Sequence, residues 1–121
     1  MAALVSENFT VHKGNDFIIQ FTIEDIVSLE GYNLRWVLCP DHPDEMPNSP
    51  ILLDKTNQGE SPQIYTEANV VFVVVPSSDS SQASSINAGS YYHELHGLDQ
   101  NLKGGVLGSG SGTFLNTRIG R

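Results

Sequence analysis

The sequence predicts an all-β protein, a single sandwich of about seven to nine antiparallel strands. Three observations carry this expectation. Apolar residues alternate with polar ones along several short segments, the period of a strand with one core face and one wet face. Turn-forming residues separate those segments at frequent intervals. No stretch holds an apolar stripe at helical spacing, so neither a helical bundle nor a βαβ architecture is expected.

The elements follow in order. Asn8–His12 is a short strand, and Lys13-Gly14-Asn15 turns the chain into the next. Phe17, Ile19, Phe21 and Ile23 then alternate with Ile18, Gln20, Thr22 and Glu24. Glu30-Gly31 introduces a third segment, where Tyr32, Leu34, Trp36 and Leu38 alternate with Asn33, Arg35, Val37 and Cys39. Pro40 to Pro50 contains four prolines and reads as the longest loop, because proline fixes φ and removes a donor. Ile51–Lys55 and Gln63–Thr66 are shorter strands around the turn Gln58-Gly59-Glu60. Asn69 to Val75 is an almost continuous Val/Phe run, expected as a central strand. Ser77 to Asn87 is serine-rich and predicts one short helical turn capped by Ser77 or Ser78. Ala88-Gly89 opens a strand over Ser90–His96, and Val106–Leu107 and Gly112–Thr117 are the last candidates.

At 121 residues the chain fits one domain, expected over 1–121, with a core that folding buries effectively. No apolar run approaches the ~18–20 residues of a membrane span, so no membrane role is expected. Met1–Glu7 has no basic region and no long apolar stretch, so no signal peptide is expected. The lone Cys39 has no partner within the chain, which suits a protein made in a reducing cytoplasm. A net charge of −8 argues against nucleic-acid binding, which needs clustered Lys and Arg. All 14 acidic residues lie in 1–100, while 101–121 holds Lys103, Arg118 and Arg121. Six of the eleven glycines fall in 104–121. That basic, glycine-rich end is expected to be flexible in isolation, ordered either by pairing within the fold or as an arm on a neighbouring subunit.

Catalytic and metal patterns are weak. His93, Glu94 and His96 lack the four-residue spacing of a helical zinc motif, and in a strand His93 and His96 point to opposite faces. Asp41, His42, Asp44 and Glu45 lack the glycine and the spacing of a calcium loop. Gly108-Ser109-Gly110-Ser111-Gly112 is a Gly/Ser tract, not a nucleophile elbow. No cofactor, metal site or catalytic residue is expected, and Cys39 is expected to be an inert thiol.

Taken in order, several segments resemble a family of Ig-like β-sandwich modules of tailed-bacteriophage virion proteins. They are Asn8–Phe17, Leu29–Trp36, Ile51–Thr56, Val70–Val75, Ala88–Leu95 and Ser111–Phe114. The resemblance covers nearly the whole chain and rests on order and spacing. Tyr91, two residues after Gly89 at the start of a strand, is similar to the tyrosine corner of Ig sandwiches, whose hydroxyl bonds backbone upstream. On that reading Tyr91, His93 and Leu95 face inward, and Phe17, Ile19, Phe21, Leu34, Trp36 and Phe72 join them in the core.

The resemblance implies a non-enzymatic structural component of the virion that docks on capsid, tail or baseplate proteins. It also implies a homo-oligomer, by analogy a trimer. Lys103, Phe114, Arg118 and Arg121 on the C-terminal arm, with His42 and Met46 in the proline-rich loop, are the expected subunit contacts. Two other readings stay open. A host-surface or glycan-binding module would use exposed aromatics such as Tyr65 and Tyr92. A calcium-dependent adhesion sandwich would lose stability on chelation.

Overall fold

The computed structural model describes residues 3–5, 7–24, 26–41, 49–81 and 86–116; side chains within 3–5 are not described. Among the described residues, nine strands form two packed sheets. They are β1 (Ala3–Val5), β2 (Phe9–His12), β3 (Phe17–Thr22), β4 (Asn33–Cys39), β5 (Leu53–Thr56), β6 (Ile64–Glu67), β7 (Val70–Val75), β8 (Gly89–Leu98) and β9 (Gly104–Leu115). One sheet has the order β1-β3-β7-β6 and the other β2-β9-β8-β4-β5. The N-terminal strands are divided between the two sheets, β1 in one and β2 in the other. Most neighbours are antiparallel, but β1 pairs with β3, and β2 with β9, in parallel.

The alternating rows bury as their period requires. Phe17, Ile19 and Phe21 on β3, Leu34, Trp36 and Leu38 on β4, and Leu95 on β8 are all at most 1% exposed. Phe9, Ile64, Val71, Val73, Val75, Ile86 and Phe114 close the core between the sheets. Tyr91 donates from its hydroxyl to the Asn87 carbonyl at 2.6 Å, four residues upstream, which is the tyrosine-corner bond. At the bend from β2 to β3, Gly14 adopts φ 79°, a left-handed conformation that favours glycine, and its amide bonds Ser80 Oγ.

Three expectations need correction. Phe72 is not in the core: on β7 the inward residues are Val71, Val73 and Val75, and Phe72 lies on the opposite phase. The helical turn exists, as a 3-10 turn over Ser77–Asp79, but no serine caps it. Pro76 holds the N-cap position, and Asp16 reaches across to accept from the Ser77 amide at 2.7 Å. The two short C-terminal strands are one strand of twelve residues. Of the two ways of ordering the glycine-rich end, residues 104–115 show pairing within the fold. They form β9, bonded on one side to β8 and on the other to β2.

The glycines explain how β9 fits. Gly108, Gly110 and Gly112 alternate with Ser109 and Ser111, a period-2 pattern written in small residues. A Cβ on Gly112 would lie 2.2 Å from the Phe9 ring, and one on Gly108 would lie 2.7 Å from the Phe21 ring. A Cβ on Gly110 would meet the Glu7 carbonyl at 2.4 Å. The missing side chains are thus filled by rings and backbone from β2, β3 and the link before β2.

Candidate functional site

The two outer faces of the sandwich differ in chemistry. The outer face of the four-stranded sheet, over β3, β7 and β6, is largely apolar. Register places Ile18 beside Val74, Phe72 between Gln20 and Tyr65, and Val70 between Thr22 and Glu67. Tyr65 stacks on Phe72 with centroids 5.1 Å apart and ring planes 21° apart. Tyr65 is 50% exposed, while Ile18, Val70, Phe72 and Val74 are half-buried. Antiparallel sheets with one solvated face normally alternate apolar and polar residues. Here β7, Val-Val-Phe-Val-Val-Val, is apolar on both phases. That composition suits a strand covered on both sides, yet among the described residues no strand or helix lies over this face. Glu67 is the single charged residue in the four strands, so the surface offers an acidic spot and no cation.

The outer face of the five-stranded sheet is polar and internally paired. Arg35 donates to both Asp54 oxygens, at 2.9 and 2.7 Å. This fork holds the Asp54 carboxyl below its ordinary range and raises Arg35 further above neutrality. Glu94 accepts from the Tyr92 hydroxyl and from His96 Nε2, each at 2.8 Å. Cys39 lies on the same face; burial first, and the Glu94 charge second, push its thiol up, away from the reactive thiolate. Val37, Ile51 and Leu98 line a shallow apolar depression between the Arg35 and Glu94 clusters. Among the described residues, no group of three His, Cys, Asp or Glu side chains converges as a metal would need.

Of the expected contact residues, Lys103 and Phe114 lie among the described ones, at opposite ends of β9. Lys103 is exposed in the turn between β8 and β9, where its amide bonds Asp99 Oδ1. Phe114 is 1% exposed, a core residue packed edge-on against Phe9, Phe17 and Tyr91, so its assignment as a contact is corrected. It sits at an inward position of β9, one row above Gly112. Arg118, Arg121, His42 and Met46 lie outside the described residues. Of the tyrosines named for a sugar platform, Tyr65 is engaged with Phe72, and Tyr92 is half-buried and bonded to Glu94.

The apolar outer face was missed in the sequence reading. Its signal was present in the Val70–Val75 run, which fits a strand covered on both faces as well as one central in its sheet. Ile18 and Tyr65, apolar at outward phases of β3 and β6, are the second sign. No family model and no curated protein matches the chain.

Proposed function

We propose that this protein is a non-enzymatic structural component of a tailed-bacteriophage particle, docking on another particle protein through the outer face of its four-stranded sheet. The observation that carries the docking reading is that face: Ile18, Val70, Phe72, Val74 and Tyr65 form an apolar surface at positions where a solvated sheet is polar. Covering each half-buried side chain fully contributes about 1 kcal/mol, roughly half its total burial value. A sum of that size gives modest affinity once association costs are met. Repetition around a symmetric particle converts such modest contacts into firm attachment.

The partner that fits is a protein surface with an apolar centre and a Lys or Arg rim. Glu67 faces it, and the chain carries a net charge of −8, so a basic rim is complementary where a second copy would repeat the same charge. The resemblance of the ordered segments to virion sandwich modules supports the particle setting. The side-chain chemistry supports a non-catalytic role: the fully buried His93 is engaged in the core, and the Cys39 thiol is raised.

The test is Phe72→Thr combined with Val74→Thr, which keeps β-branched residues on a strand while removing apolar surface. The expected result is a folded protein whose incorporation into assembled particles falls at least tenfold. Arg35→Ala with Asp54→Ala, on the opposite sheet, should leave incorporation unchanged. Normal incorporation of the first variant, or equal loss in the second, would overturn the assignment.

A further inference from the structure

We propose that His93 is a proton-operated latch that holds the N-terminal strands on the sandwich and releases them in acid. His93 lies on β8, 0% exposed, with its ring among Phe9 at 5.2 Å, Phe21 at 5.7 Å and Trp36 at 5.8 Å. Trp36 Nε1 donates to His93 Nδ1 at 2.9 Å. An indole nitrogen only donates, so His93 Nδ1 must be bare. The ring proton therefore sits on Nε2, which donates to the Glu7 carbonyl. Both nitrogens are committed and only one neutral tautomer satisfies them.

Glu7 occupies the link where the chain leaves β1 in one sheet and enters β2 in the other. Its carbonyl reaches the histidine because Gly110, opposite His93, has no side chain. The latch thus joins the core to the two strands nearest the N-terminus. Each lies at a sheet edge, three or four residues long and paired on one side. Short edge strands are the elements that open at least cost.

A second proton on His93 would have to sit on Nδ1, where it would face the Trp36 N–H, donor against donor. The groups around the ring cannot stabilise that charge. β2 presents Phe9, β3 presents Phe21, β4 presents Trp36 and Leu38, β9 presents Gly110, and Glu7 supplies its backbone carbonyl. Tyr92 and Glu94 flank His93 along β8, on the outward phase and bonded to each other, with His96 beyond them bonded to Glu94; Lys55, two strands away, is already bonded to Asp79 and Gln63. Burial lowers the His93 pKa, and the Glu7 bond offsets this only in part. The open state therefore takes up the proton first. The latch keeps its full strength above the free-histidine value near pH 6.5 and loses it as the pH falls from there toward the lower folded-state value. Opening exposes the Phe9 pocket and the edges of β3 and β9, which are templates for a strand from another chain.

The test is native-state hydrogen exchange on the full chain and on His93→Gln, corrected for the intrinsic pH dependence of exchange. Glutamine can accept from Trp36 and donate to Glu7 without titrating. In the wild type, opening of the Phe9–His12 amides should rise by up to about tenfold per pH unit below about 6.5. In His93→Gln it should stay flat. Equal acid sensitivity in the two proteins would overturn the proposal. Imidazole nitrogen NMR of the wild type gives a reading independent of the variant's folding. The neutral Nε2–H form at about pH 7 is expected, and an Nδ1–H form or a charged ring would overturn the latch.

Discussion

Replacing Gly112 with alanine adds one methyl group at a point where the Phe9 ring already sits. The new Cβ would lie 2.2 Å from Phe9 Cζ and within 2.7 Å of both Cε atoms, where ordinary contact begins at 3.4 Å. The ring must retreat by about 1 Å, and its ways out are occupied. Phe17 lies 5.1 Å away by ring centroid, His93 5.2 Å and Phe114 5.9 Å. Overpacking of a dense core costs about 1–3 kcal/mol, and full expulsion of a buried phenylalanine sets a ceiling of about 3–5. Alanine's stiffer backbone returns roughly 0.5–1 kcal/mol. The net expectation is a loss of about 1–2 kcal/mol. For a chain of this length the unfolding entropy is about 0.25 kcal/mol/K, so Tm should fall by about 4–8 °C. Calorimetry with urea titration measures this, and the slope of the urea transition should be unchanged. Ser111→Ala, one residue away on the outward phase, should stay within about 0.5 kcal/mol of wild type. Phe9→Ala combined with Gly112→Ala should lose less than the sum of the two single changes, since the clash is then gone. A Gly112→Ala protein melting within about 2 °C of wild type would refute the view that β9 is glycine-rich because aromatic rings fill its inner face.

Three further outcomes follow from the same geometry. Deleting 104–121 removes the strand between β8 and β2, so circular dichroism should report an unfolded chain; a folded monomer would contradict the assignment of β9 to the sheet. Tyr91→Phe removes the hydroxyl bond to the Asn87 carbonyl and should cost about 1 kcal/mol in denaturant unfolding, with the fold intact. Asp54, held below its ordinary pKa by Arg35, contributes stability that is present above the unfolded value near pH 3.9 and lost as the pH falls through the lower folded value. Because both partners are about half exposed, Asp54→Asn should remove less than about 1 kcal/mol at pH 7, and the difference should vanish in urea titrations at about pH 2.

Much of the fold was legible in residue order. The rows Phe17-Ile19-Phe21 and Leu34-Trp36-Leu38 follow the strand period, so their inward faces were readable, as was the tyrosine corner at Tyr91. Phe72 was misplaced because β7 is apolar on both phases, and composition alone does not say which phase faces the second sheet. Phe114 was misplaced because glycine-rich surroundings read as a flexible tail. The alternation of Gly108, Gly110 and Gly112 with two serines is a strand period, but glycine carries no hydrophobic signal to reveal it. The Trp36–His93–Glu7 chain was beyond reach, since it joins residues 57 and 86 positions apart through a backbone carbonyl. The outer face was half legible: the Val70–Val75 run asks for cover on both sides, and only the structure places one side outward.

The most direct measurement is a reconstruction of the assembled particle by electron microscopy at a resolution that separates strands. The account predicts the β3–β7–β6 face seated on a neighbouring protein, with Phe72 and Tyr65 at the centre of the contact and a Lys or Arg opposite Glu67. A particle lacking this protein, or one in which that face points to solvent while the Arg35–Asp54 face makes the contact, would contradict it.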